Sequence, residues 1–280
     1  CMKTISFVNM KGGVGKTTTA LNVADYLARV EQQRVVVLDV DPQFNVTQCL
    51  FSPDEYVQHL KDGKDTILNV FDTEESSITS VVAGTTKVEP KELSDIALVQ
   101  KGLIWTLPGN IDLYRLEMIA GEGREFSLKR YIDEALAPQD IDYVIIDTPP
   151  TPSMWMTSAL IASDHYVIPV RPDPLSMIGI DLLRSIIERR RKTYGLKITG
   201  LGVVFTMVER PDSVIFTNAK NNLASNAQWK DKVFKAYIPK RADLARSQLE
   251  QPFIMLMDDY DLRANLRKLV AEILEKIDCN

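Results

Sequence analysis

The sequence predicts an α/β domain built on a mostly parallel, twisted sheet covered by helices on both faces. Three observations carry this expectation: short β-branched runs recur, most of them are nearly continuous in apolar residues, and stretches with helical spacing fill the gaps between them. A strand that is apolar throughout has no face to offer water, so both of its faces must be packed against helices.

Taken in order, the expected strands are Thr4–Asn9, Arg34–Asp39, Leu103–Leu107, Tyr143–Asp147, His165–Val170, Thr199–Thr206 and Val233–Ile238. Helices fit Thr17–Val30, Phe126–Ala137, Ile180–Thr193 and Tyr260–Ile277. The stretch 52–99 is polar and irregular, with Lys61-Asp62-Gly63-Lys64-Asp65 and Glu74-Glu75-Ser76-Ser77, and reads as an insertion of short helices and loops. No linker composition and no internal repeat divides the chain, so residues 1–280 read as one domain. The closing segment 260–277 sets Leu262, Leu266, Leu269, Val270, Ile273, Leu274 and Ile277 on one stripe beneath a polar face of mixed sign. That is the pattern of a packing helix rather than of a basic membrane-surface helix.

Composition narrows the function classes. With 45% hydrophobic and 25% charged residues the chain is not a disordered, collagenous or coiled-coil sequence, and no apolar run approaches the ~18 residues of a bilayer span. A cytoplasmic protein is expected. Cys1, Cys49 and Cys279 form an odd set without paired spacing, which suggests neither a disulfide framework nor a thiolate cluster. The net charge of −5 argues against a nucleic-acid partner until its distribution is considered. From Arg184 to Arg246 there are fourteen Lys and Arg against five Asp and Glu, a local +9 that leaves −14 on the rest of the chain. Such asymmetry points to an anionic partner or, failing that, to a solvated helix surface.

The strongest signal is Asn9-Met10-Lys11-Gly12-Gly13-Val14-Gly15-Lys16-Thr17-Thr18, placed between the first strand and the first helix. In that context the backbone of Gly12, Gly13, Val14 and Gly15 turns its N–H groups around a phosphate, Lys16 supplies a point charge to the β- and γ-phosphates, and the Thr17 hydroxyl can ligate Mg²⁺. The strict G-x-x-x-x-G-K-[ST] pattern fails only at its first position, where Met10 stands. In a parallel sheet the carboxyl ends of the strands converge on the ligand crevice. Asp39, Asp41 and Asp147 should therefore face the phosphates, with Asp147 holding Mg²⁺ through water.

Lys11 to Thr18 resembles the deviant Walker A motif of the ParA/MinD family, within it the short, Soj-like ParA partition ATPases. Val37-Leu38-Asp39-Val40-Asp41-Pro42-Gln43 resembles the family's second carboxylate motif, and Tyr143-Val144-Ile145-Ile146-Asp147-Thr148-Pro149-Pro150 its Walker B. The resemblance implies a single P-loop NTPase domain using ATP and Mg²⁺. It implies catalytic roles for Lys11, which would reach the phosphates of a partner subunit's ATP, for Lys16, and for Asp41, which would orient the attacking water; Asp39 is left open between a structural and a catalytic role. Gly12 to Thr18 would bind the nucleotide. Thr206-Met207, Ile238-Pro239 and Ala242-Asp243-Leu244 match the region around the adenine, with Pro239 the candidate base contact. Phe44 stands where partition ATPases usually carry a small residue, often Gly.

The same resemblance implies an ATP-bound homodimer that binds DNA without sequence preference, is released by slow hydrolysis and answers to a centromere-binding ParB-like protein. It also implies a nucleoid-associated location and no stable membrane binding. The DNA-binding candidates are Arg189, Arg190, Arg191 and Lys192, closing a helix whose buried side is set by Leu182, Leu183, Ile186 and Ile187, together with Arg210, Lys220, Lys230, Lys232 and Lys235. Positive charge at a helix C-terminus also complements the helix dipole, a purely structural reading of the first four. A MinD-like membrane-cycling regulator and a metabolic P-loop enzyme are the alternatives.

Overall fold

A computed structural model describes residues 2–72, 91–119, 121–241 and 253–279. Strands β1 (Lys3–Phe7), β2 (Val35–Asp39), β3 (Val99–Lys101), β4 (Ile104–Leu107), β5 (Tyr143–Asp147), β6 (His165–Val170), β7 (Thr199–Val208) and β8 (Val233–Pro239) form one eight-stranded sheet. Their order is β3-β4-β2-β5-β1-β6-β7-β8. All pairings are parallel except β3 with β4. Every residue of β2 and of β6 is buried, as strands covered on both faces must be.

Alternation along the strands sorts their side chains into two layers. Ile5, Phe7, Val35, Val37 and Ile145 join a cluster with α1 (Lys16–Arg29) and the last helix, α10 (Tyr260–Asp278). Val36, Leu38, Val144 and Ile146 point the other way, onto α4 (Ile67–Phe71), α6 (Ser127–Tyr131) and α7 (Met154–Ala162). Beyond β1 the same side is continued by α8 (Pro174–Tyr194) and α9 (Val214–Ser225), packed on Ile168, Val203 and Phe205. Helix α10 buries Leu262, Leu266, Leu269, Val270, Ile273 and Ile277, each contributing roughly 1.5–3 kcal/mol relative to exposure. No described helix is long and apolar enough to cross a membrane.

Several elements differ from the sequence expectation. Strand β3 was not expected: it has three residues, partly exposed, and pairs antiparallel at the sheet edge, too short and polar to signal itself. Helix α8 begins at Pro174 rather than Ile180, because the Asp173 side chain accepts from Ser176 N and Pro174 occupies the first turn. Its buried side is Ile180, Leu183 and Ile187; Leu182 is 58% exposed, because at ~100° per residue it falls off the stripe that Leu183 and Ile187 share. The single helix expected over Phe126–Ala137 is a 3₁₀ turn, α6, and a π turn over Ile132–Leu136, in which Ala137 N donates to Ile132 O. Within the stretch 52–99 lie α3 (Pro53–Lys61), opened by a Ser52/Glu55 capping box, and α4, capped by Thr66. Glu74 to Ser77 lie outside the described residues.

Candidate nucleotide-binding site at the carboxyl end of the sheet

The loop between β1 and α1 turns on two glycines in the left-handed region, Gly13 at φ 69° and Gly15 at φ 73°. A side chain at either would be strained by the positive φ, although at Gly15 a Cβ would only come into ordinary contact with Thr206 at 3.6 Å. Thr206 Oγ1 donates to Val14 O, so β7 fixes the loop from the side. Asn9 ties its base: its amide donates to Pro169 O at 2.6 Å, while its Oδ1 accepts Lys11 N at 2.9 Å.

Strand register brings the carboxylates together. Asp39 of β2 stands directly opposite Asp147 of β5, and Phe7 at the end of β1 flanks Asp147 on its other side. Lys16 Nζ lies 3.1 Å from Asp147 Oδ1, with side chains only 7% and 0% exposed, and Thr17 Oγ1 donates to Asp147 Oδ2 at 2.6 Å. The hydroxyl and carboxylate expected to share a divalent cation are therefore already adjacent. Asp41, 1% exposed, is held by Gln43 N at 2.9 Å and approached by the Asn45 amide at 3.4 Å. Burial pushes its carboxyl above the usual range, opposed by the Gln43 N–H and the Lys16 charge. Asp39 is wholly buried; burial and the facing Asp147 raise its pKa to about 8, while the two bonds it accepts from Thr47 act in the opposite direction.

Above them is a cavity of about 530 Å³ lined by residues 11–18, Asp41, Gln43, Asn45, Gln48, Cys49, Pro150 and Met207. Of the residues expected from the sequence, Lys11, Gly12, Gly13, Val14, Gly15, Lys16, Thr17, Thr18 and Asp41 meet at this one cavity, and Asp147 lies beneath it, bonded to Lys16 and Thr17. Pro239 does not line it: it is buried at the end of β8, paired with Val208, and Met207 stands at the wall instead. Met207 has φ 52°, where the β7–β8 register shifts, which turns it out of the strand pattern. Ala242 to Leu244 lie outside the described residues.

Phe44 adopts φ 43°, so the backbone here takes the conformation a glycine would favour. Its ring stacks on Tyr56 of α3 at 5.4 Å, and Tyr56 in turn donates to Gly109 O at 2.7 Å. A Cβ on Gly109 would stand 2.6 Å from that of Phe44 and 3.0 Å from the Asp39 carboxyl carbon. Gln43, Asn45, Gln48 and Cys49 were missed as wall residues because no spacing rule marks the turn after Asp41 or the short helix Asn45–Leu50 that follows it. Burial holds the Cys49 thiol protonated, its pKa pushed up to about 12, so it offers no thiolate at neutral pH.

The basic candidates fall at different places. Because α8 runs back along the sheet, Arg189 to Lys192 lie at its far end, beside the amino ends of β6 and β7. Arg189 and Lys192 are exposed, Arg190 is half-buried, and Arg191 pairs with Glu188 at 3.0 Å. Lys230 and Lys232 precede β8 at the same end, where a second cavity of about 330 Å³ is lined by Arg184, Glu188, Tyr166, Trp229 and Lys232, among others. Arg210 instead follows β7 at the nucleotide end; Lys220 lies along α9 with its ammonium over the Phe216 ring, and Lys235 is exposed on the edge strand β8.

The family model described as "AAA domain", AAA_31, matches residues 2–199. The sporulation initiation inhibitor protein Soj of Bacillus subtilis is 28% identical over 286 residues, covering 99% of each chain. Among solved structures, a Borrelia burgdorferi B31 protein named for plasmid partition and bound to AMPPNP superposes with TM-score 0.78 at 19% identity, covering 99% of this chain and 100% of that one. Cobyrinic acid a,c-diamide synthase of Mycobacterium smegmatis, with an ATP analogue and magnesium, gives 0.75 at 22% identity over 99% and 96%. With a matching model across most of its length and the Lys11 to Thr18 loop at the head of its sheet, the chain belongs to the AAA_31 family and is a ParA/Soj-like P-loop partition or positioning ATPase.

Proposed function

We propose that this ATPase binds ATP with Mg²⁺ in the carboxyl-end cavity, dimerises in that state, binds DNA without sequence preference as the dimer, and leaves DNA after slow hydrolysis. The observation that carries the reading is the meeting of Lys16, Thr17 and Asp41 at one cavity floored by the glycine loop, with Asp147 bonded to Lys16 and Thr17 beneath it and a second lysine, Lys11, on the same loop. Lys16 would neutralise the β- and γ-phosphates. Thr17 Oγ1 and, through water, Asp147 would hold the cation, which when bound offsets charge on the transferred phosphoryl group. Asp41, near the phosphate end and partly desolvated, would orient the attacking water. Lys11 would act on the nucleotide of a second subunit.

The cationic segment supports DNA as the partner, since each Lys or Arg meeting a phosphate adds a sequence-independent, salt-sensitive term that dimerisation doubles. The Borrelia protein named for plasmid partition and the Soj relative favour a partition or positioning role in the cytoplasm, on the nucleoid, with a centromere-bound ParB-like partner stimulating turnover. The burial of the apolar stripe of α10 speaks against the membrane-cycling alternative. The test is DNA binding and sedimentation measured with ATP, with ADP and without nucleotide: binding and dimer formation only with ATP are expected, and DNA binding indifferent to nucleotide would refute the reading. A second reading, a metabolic P-loop enzyme, is favoured by the fold shared with cobyrinic acid a,c-diamide synthase, and a phosphorylated small-molecule product would establish it.

A further inference from the structure

Lys11 is on the cavity wall, yet its ammonium is committed elsewhere. Nζ lies 2.9 and 3.0 Å from the two carboxylate oxygens of Asp173 and 3.1 Å from Ser176 Oγ. An ammonium has three protons to donate, and three acceptors within hydrogen-bond distance use all of them. The acceptors are themselves fixed. Asp173 is the N-cap of α8, its Oδ1 accepting Ser176 N at 2.9 Å and its Oδ2 the Ser176 hydroxyl at 2.7 Å, and Ser176 is 4% exposed. On the other side, the Lys11 backbone is anchored through Asn9 to Pro169 at the end of β6. The lysine and its carboxylate thus sit on two connections, β1 to α1 and β6 to α8, that both emerge at the nucleotide end.

We propose that Asp173, seconded by Ser176, is a latch that holds Lys11 in the nucleotide-free subunit, and that its release is what makes Lys11 available to a polyphosphate presented by a second copy of this chain. Asp173 is then a positioning residue that sets how readily the triphosphate drives assembly. The pair is half-exposed, with side chains 40% and 31% accessible, so water can replace either partner and the latch is weak enough to open. A polyphosphate carries several negative charges against the single charge of Asp173, so competition for the ammonium favours the nucleotide once it is within reach. This inference rests on the proposed ATP-driven dimer for its consequence, but not for the latch itself.

The two are tested by separate readouts on Asp173→Asn, which keeps an oxygen to cap α8 and removes the charge. The first is trace acetylation of the nucleotide-free protein, with Lys11 labelling followed by peptide mass spectrometry. Lys11 should react ~1.5–5-fold faster in Asp173→Asn, with the other lysines as internal reference, because a weak ion pair of this exposure is worth that factor. Equal rates would overturn the latch. The second is the protein concentration at the midpoint of dimerisation with AMPPNP and Mg²⁺, which should fall by about the square of that factor in Asp173→Asn, because each subunit of the dimer releases one latch. The gain should vanish when Lys11→Ala is added. A midpoint unchanged in the single variant, or a gain that survives in the double, overturns the regulatory role. A wild-type chain that stays monomeric with AMPPNP at all concentrations refutes the dimer reading instead and leaves the acetylation result to decide the latch.

Discussion

The two ends of the sheet treat charge in opposite ways. At the carboxyl end, Lys16, Asp147, Asp39 and Asp41 are buried, and each is held by named partners at short distance. At the amino end, Arg189, Lys192, Lys230 and Lys232 are exposed, and of the four residues closing α8 the structure pairs Arg191, with Glu188. A buried charge must be matched by an opposite charge or by hydrogen bonds, or it costs several kcal/mol, so its position is fixed by neighbours. An exposed charge is under no such constraint. The carboxyl end is thus built for geometry, and the amino end for field strength.

The sharpest way to break this contrast is Lys16→Ala. It leaves Asp147 buried without its cation, and about 3 kcal/mol or more of stability should go with nucleotide binding. Titration with ATP and Mg²⁺ should detect no binding, and thermal melts should show the loss. Binding within threefold of wild type would mean that the buried pair is structural only. Next in size is Asp41→Ala, which should keep nucleotide and dimer but slow single-turnover hydrolysis by roughly 10²-fold. A wild-type rate would move suspicion to Asp39.

This difference also explains what the sequence could reveal. Seven of the eight strands and the phosphate loop were legible, because continuous apolar runs and the Lys11 to Thr18 pattern are local signals. The meeting of Asp39, Asp41 and Asp147 followed from a topological rule. Asp173 was not legible as a partner of Lys11: Asp173-Pro174 marks a helix start, but a contact across 162 positions leaves no trace in spacing. Nor was the start of α8, which depends on a cap that was not anticipated, or the exposure of Leu182, which depends on the phase of the helix against the sheet. The basic groups were visible as a segment but not as a surface, since solvated side chains answer to helix phase rather than to packing.

At the amino end, reversing Arg189, Arg190 and Arg191 to Glu tests field strength. ATP-dependent DNA binding should weaken by at least about tenfold near 0.1 M salt, with a shallower salt dependence, while dimerisation and the fold change little. Because Arg191 already pairs with Glu188, most of the effect should come from Arg189 and Arg190, and single reversals would apportion it. Unchanged affinity would assign this end a structural role and direct attention to Arg210 at the nucleotide end.

The last test concerns Asp39, and it sharpens the contrast most. A carboxyl that is wholly buried, faces Asp147 and has its Oδ1 without a hydrogen-bond partner holds its proton up to a pKa of about 8, against an ordinary value of 3.8. The sign follows from linkage. The folded state binds this proton more tightly than the unfolded chain, so Asp39 favours folding fully below the ordinary value and loses that contribution as pH rises toward about 8. Asp39→Asn is uncharged throughout and still offers an oxygen to Thr47. In nucleotide-free protein without metal, the melting temperature of wild type should therefore fall relative to Asp39→Asn as pH is raised from about 5 to about 8, the two differing least at the acid end. Asp41 is present in both proteins, so the part of its titration that does not depend on Asp39 cancels in the difference. Parallel curves across that range would show that Asp39 is ionised at neutral pH despite its burial. The carboxyl end would then hold three charged carboxylates against Lys16 alone, and the rule that buried charge is matched there would fail at its centre.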